Sequence, residues 1–251
     1  MSKKSLQNSE HVDALAIGAH PDDVELQAGG TLLRLRTLGY STGIIALTRG
    51  ERATRGTPSQ RSTEAAEAAD ILGVRFSSIL DLGDTMLIDG ADLRRQLVTL
   101  IRRHRPSLVL SHHPEEFHPD HLAVAMALKA AVHLAGLASV LPELPPHRPN
   151  VLLRFALLGR QPADLAIDIS PWAALKRQAL TCFRSQFHAH DSTEPPTLLS
   201  SPGFLEDLSL RQRYFGSLIG TANAEAFVVG RMIAIEDPIL TFSRSTDHFG
   251  A

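Results

Sequence analysis

The sequence offers little that would suit an oxidising compartment or a membrane. It holds one cysteine, Cys182, in 251 residues, so no internal disulfide can form. Disulfide staples serve mainly small secreted domains with scant cores, and a chain of this length buries most of its surface without them. No run reaches the ~18 apolar residues that a membrane-spanning helix needs. The apolar stretch at 12–19 is also too short for a secretory leader with its cleavage site. A surplus of basic charge is missing too: the formal net charge is −2, which argues against a nucleic-acid binder. The expectation is a soluble, cytoplasmic protein whose lone thiol is buried and inert.

Histidine is plentiful, with 12 residues, and several of them cluster. Around them the hydrophobic periodicity alternates. Strands are predicted at 12–18, 42–47, 76–80 and 108–110. Helices are predicted between and after them at 24–38, 62–72 (capped by Ser62, or by Ser59 just before), 91–104 and 122–138. Such alternation calls for an α/β fold, a Rossmann-like, mostly parallel sheet with helices on both faces. Beyond the proline-rich piece at 141–149, strands at 151–157, 165–169 and 226–229 and helices at 171–183 and 203–219 extend the same unit. One domain over 1–251 is expected, with 1–10 a frayed tail and 185–201 a polar lid loop.

Two motifs fall at strand ends, where open α/β sheets bind ligands. The first, His20-Pro21-Asp22-Asp23, follows strand one. A histidine and a carboxylate three apart at a helix start can converge on zinc, which in catalytic sites keeps three protein ligands and leaves a position for water. Asp22 would then point away from the metal, free to act on that water. A plain helix-capping turn is the competing reading of this tetrapeptide. The second motif, His118-Pro119-Asp120-His121, follows strand four and can complete a His-Asp-His set. The remaining Asp120 could orient His118 and favour its protonated form.

The run from Ala19 to Glu25, the following Gly29-Gly30-Thr31, and His118-Pro119-Asp120-His121 resemble the LmbE/PIG-L family of zinc N-deacetylases. Pro142-Glu143-Leu144, His147-Arg148, Ile167-Asp168-Ile169-Ser170 and Ser185-Gln186-Phe187 resemble its bacillithiol-biosynthesis branch. The resemblance implies one Zn2+ per chain on His20, Asp23 and His121, with iron able to occupy the same ligands. It makes Asp22 the general base and His118, supported by Asp120, the group that steadies the oxyanion and hands a proton to the leaving amine. Arg61 and Arg148 match arginines of the substrate site, and a positive charge there suits an acidic aglycone. The implied reaction removes the N-acetyl group from an N-acetylglucosamine conjugate, N-acetylglucosaminyl-malate first among them. A homo-oligomer, trimer or hexamer, is likewise implied.

The chain departs from the branch at Gly203-Phe204, where relatives can carry a tyrosine; Phe204 has no hydroxyl to donate to an oxyanion. Three alternatives compete. A dinucleotide binder would show Gly-x-Gly-x-x-Gly after strand one, where this chain has His-Pro-Asp-Asp. An idle binding module would have lost one of His20, Asp22, Asp23 or His121, and all are present. A related amide hydrolase could instead act on another amino-sugar, a lipid-linked sugar or a thiol conjugate.

Overall fold

The computed structural model describes residues 11–157, 162–187, 193–237 and 239. The proposed tail at 1–10 lies outside them, as does the middle of the proposed lid, 188–192 with His188, His190 and Asp191. In chain order the elements are β1 (Ala14–Gly18), α1 (Asp23–Thr37), β2 (Thr42–Ala46), α2 (Pro58–Leu72), β3 (Phe76–Ile79), α3 (Ala91–His104), β4 (Leu108–Ser111), α4 (Pro119–Leu134), β5 (Val151–Phe155), β6 (Leu165–Asp168), α5 (Ala173–Leu180), α6 (Phe204–Leu218) and β7 (Ala224–Val228). A single 3-10 turn, Ser170–Trp172, leads into α5.

The strands form one sheet in the order β3-β2-β1-β4-β5-β7-β6. The first five are parallel, and β7 runs antiparallel to both β5 and β6. β1 and β2 are buried along their whole length, as the continuous apolar runs of central parallel strands require. Helices cover both faces. One apolar cluster packs α1, α2, α5 and α6 against alternate sheet residues such as Ala16, Leu110 and Phe155. The other packs α3 and α4 against Leu15, Ile17 and Val109. In α3 the buried Leu93, Leu97, Leu100 and Ile101 recur at helical spacing and face the sheet. Among the described residues no helix is long and apolar enough to cross a membrane.

Two helix starts differ from the sequence expectation. α2 begins at Pro58, with Thr57 rather than Ser59 or Ser62 as its cap. Thr57 Oγ1 accepts the Gln60 N–H at 3.3 Å, and Gln60 Oε1 accepts the Thr57 N–H at 2.8 Å. This reciprocal capping box with proline at the first helical position outcompetes the later serines. α4 begins at Pro119 and ends at Leu134, so Asp120 and His121 stand in its first turn instead of before it.

Far from the motifs, α3 supplies Arg102, a buried guanidinium bonded to the carbonyls of Ala135, Leu137, Val140, Leu141 and Leu144. It ties the end of α4 to the proline-rich connection. Charge-assisted bonds to buried carbonyls are each worth about 1.5–3 kcal/mol. Arg102→Met is therefore expected to lower stability by more than about 3 kcal/mol. An unchanged denaturant midpoint would show that water replaces the guanidinium at no cost.

Candidate metal and catalytic site

β1 lies between β2 and β4, so chain leaving its carboxyl end enters a crevice flanked by the loops after β2 and β4, and the loop after β3 reaches it through Asp84. His20 to Asp23 fill that crevice and turn directly into α1. The turn is closed locally: the His20 N–H donates to Asp23 Oδ2 at 2.7 Å. α4 brings His121 in from the other side, its ring stacked on the buried His112 at 4.0 Å between centroids.

Three donors meet there. His20 Nδ1 is 3.3 Å from His121 Nε2, His121 Nε2 is 3.2 Å from Asp23 Oδ1, and His20 Nδ1 is 3.5 Å from Asp23 Oδ2. A tetrahedral zinc ion with ligands at about 2.0–2.1 Å has ligand-to-ligand edges of about 3.3–3.4 Å. The donor types fit zinc, and the two imidazoles stand at that edge length from each other, each facing a different oxygen of the Asp23 carboxylate; His118 and His112 are close enough to join these donors around an ion.

The tautomer of His20 fits as well. Its Nε2 is 3.1 Å from both Asp84 Oδ1 and Asp120 Oδ2. Carboxylates only accept, so a proton sits on Nε2, and Nδ1 is the nitrogen that faces Asp23 and His121 and would bind the ion.

The field of the crevice favours a cation. Asp22, Asp23, Asp84 and Asp120 are all buried around two imidazoles. Burial opposes charge on His20, but its bonds to Asp120, Asp23 and Asp84 push its pKa up to about 12. Burial likewise opposes a charged His121, yet Asp23 and Glu116 push it up to about 9. Burial alone would raise Asp23; His121 and His112 hold it well below the usual carboxylate range. Asp84 drops to about 2, chiefly through its bond from His20.

Asp22 stands behind this group with a positive φ of 108°, uncommon outside glycine and best tolerated by Asp and Asn. Burial lifts its pKa to about 6, against the pull of Arg61. His118 caps α4, its Nδ1 accepting the Asp120 N–H at 3.2 Å. Its exposed ring lies 4.8 Å from that of His20 and 4.7 Å from that of His121. Burial and the neighbouring His121 and His20 lower its pKa.

Asp120 meets His118 through its own N–H and its negative charge, which favours a protonated His118, while its carboxylate bonds are made elsewhere. Its carboxylate accepts from His20 and from the Thr85 and Leu87 N–H groups at 2.8 and 3.2 Å. The Asp120 carboxylate therefore turns to the loop after β3 and to His20, while His118, the N-cap of α4, stays exposed at the mouth. Asp84 was not anticipated at all. It lies in a short loop after β3 and carries no motif; its position beyond a strand's carboxyl end was the one available signal.

Residues 15–132 match the family model PIG-L, GlcNAc-PI de-N-acetylase. A diacetylchitobiose deacetylase from Thermococcus kodakarensis is 32% identical over 238 residues, which span 88% of this chain and 85% of that protein. The chain belongs to the PIG-L family. It is an amide hydrolase of the deacetylase type. A conserved protein of Thermus thermophilus shares the fold at a TM-score of 0.81 with 35% identity, over 90% of this chain and 98% of that one. A probable N-acetyl-α-D-glucosaminyl L-malate deacetylase from Bacillus anthracis is more distant, 26% identical over 200 residues spanning 72% of this chain and 84% of its own. Membership in the bacillithiol branch is therefore not supported beyond that distant likeness.

In this PIG-L protein the two arginines expected at the substrate lie far apart, Arg61 beside Asp22 at the site and Arg148 at the opposite end of the sheet. Arg61 is buried; its Nη2 donates to Pro21 O and to Asp22 Oδ2, the latter at 3.1 Å. It props the strained turn from behind instead of pairing with Glu64 or Glu67 on the surface. Glycine at 50 permits this, since a Cβ there would lie 2.1 Å from Arg61 Nη1. Arg148 is at the other end of the sheet, where Nη2 donates to His133 O in the last turn of α4 at 3.2 Å. It adds a second donor to a carbonyl that already accepts the Gly136 N–H, a helix length away from His121. Phe204 packs on Phe187 with centroids 5.9 Å apart and joins the apolar core. On the polar segment around 185–201, the flanks are tied to the β2–α2 loop: Arg55 Nε donates to Ser185 O at 3.0 Å and Gly56 N to Glu194 Oε1 at 3.0 Å.

Proposed function

We propose that the protein is a zinc-dependent N-deacetylase acting on an N-acetylglucosamine unit of a small conjugate. The convergence of His20 Nδ1, His121 Nε2 and the Asp23 carboxylate beside a buried, raised-pKa Asp22 carries this reading. His20, Asp23 and His121 would hold the ion; bound there, zinc supplies a Lewis acid for the acetyl oxygen and makes water acidic enough to attack near neutral pH. Asp22 takes the proton from the attacking water. Arg61 keeps the Asp22 carboxylate aimed and its turn intact. His118, exposed at the mouth, is placed to donate to the developing oxyanion and then to the leaving amine. Asp120 and Asp84 hold the Nε2 proton of His20 and so orient its free lone pair.

A neutral chitobiose-type sugar is the better substrate. Arg148, expected to meet an acidic aglycone, lies at the far end of the sheet, Arg61 is already paired with Asp22, and the diacetylchitobiose deacetylase is the nearer of the two named sugar deacetylases. The test is a free-amine assay on N,N′-diacetylchitobiose, N-acetylglucosamine, N-acetylglucosaminyl-malate and a mycothiol-type conjugate. Faster release from diacetylchitobiose than from the malate conjugate is expected. The reverse order would return the acidic aglycone, and release from none would remove the sugar while leaving the metal site to its own test.

A further inference from the structure

α1 carries the catalytic turn at its start, yet what grips its middle comes from the last third of the chain. Lys176 on α5 and Glu225 on β7 form a fully buried ion pair, Nζ to Oε1 at 2.6 Å, with side chains 1% and 3% exposed. Both members also seize the backbone of α1. Lys176 Nζ donates to Leu26 O at 2.7 Å, while Glu225 Oε1 and Oε2 accept the N–H groups of Gly30 and Thr31 at 2.9 and 2.7 Å. Amides inside a helix ordinarily serve only their own carbonyls. The approach needs small residues: a Cβ on Gly30 would meet Ile169 at 2.8 Å, and one on Gly29 would touch Lys176 Cγ at 3.4 Å.

A buried ion pair is poor evidence of added stability, because desolvation consumes most of the attraction. Its directional value is different. The hold on Leu26 lies one turn, about 4.5 Å, behind Asp23, and the hold on Gly30 about 10 Å behind it. We infer that Lys176 and Glu225 are positioning residues that set the axial and rotational placement of α1, and through it the distances from Asp22 and Asp23 to His121. Both residues lie beyond the 15–132 segment that matches the family model. The inference presupposes the proposed roles of Asp22 and Asp23.

The test is Lys176→Met with Glu225→Leu, which removes both charges and fills the space with apolar groups, a change often neutral for stability. Well below the melting temperature, zinc binding measured by chelator competition is expected to weaken on the order of ten-fold. With zinc supplied in excess, kcat is expected to fall roughly a hundred-fold with KM little changed. A folded double variant with wild-type zinc affinity and kcat overturns the inference. Should that protein not fold, Glu225→Asp keeps the charge and shortens the reach. It is expected to speed hydrogen exchange at the Gly30 and Thr31 amides of the metal-free protein and to weaken zinc binding. Unchanged exchange, or faster exchange with wild-type zinc binding, overturns the inference equally. A wild type that binds no zinc would instead sink the metal site, and the clamp's role with it.

Discussion

Replacing Asp22 by asparagine is expected to lower kcat roughly 10²–10⁴-fold while zinc content stays that of the wild type. The substitution is unusually clean at this position. Asp22 sits at a φ of 108°, where asparagine is tolerated nearly as well as aspartate, so the turn survives. The amide oxygen can still accept from Arg61 Nη2, which now stands 3.1 Å from Asp22 Oδ2. What is lost is the capacity to take a proton from water. Asp22→Ala would confound that loss with a strained backbone and an unpaired buried guanidinium. Turnover unchanged in the asparagine variant, at equal zinc content, would take Asp22 out of the base role.

His121→Ala is expected to bring zinc from about one per chain toward none, and turnover with it. The remaining donors, His20 and Asp23, come from one tetrapeptide at the β1–α1 turn, and water would have to replace the one ligand that α4 contributes. Wild-type protein stripped with a chelator should lose activity, regain it on adding zinc, and melt at a higher temperature when zinc is present, because a ligand of the folded state alone stabilises it. The variant should show no such zinc-dependent rise. A variant that retained stoichiometric zinc after dialysis, or melted with the same zinc response, would exclude His121 as a ligand.

The two histidine motifs were legible because their geometry is nearly local. A histidine and an aspartate three apart at a helix start meet whatever the rest of the chain does, and His20 N–H to Asp23 Oδ2 at 2.7 Å is that closure. The start of α2 was also written locally, in Thr57-Pro58-Ser59-Gln60, a capping signal set in a loop rich in Gly, Arg and Thr and for that reason overlooked. The partners of the motifs were not legible. Asp84 meets His20 across 64 positions in the chain, and Arg61 meets Asp22 across 39. Such pairings follow from which strand lies beside which, and from a glycine at 50 small enough to admit a guanidinium.

By itself, then, the sequence determined the alternation of strands and helices, the donor types and the two turns that present them. These depend on periodicity and on spacings of three residues, which the covalent chain imposes. Only the tertiary structure decided who serves whom. The order β3-β2-β1-β4 brings the loop after β3 and the start of α4 together on the Nε2 side of His20. It thereby brings Asp120 and Asp84 to His20 and sets Arg61 against Asp22. Arg148 is left at the far end of the sheet, because α4 runs its whole length between that arginine and His121.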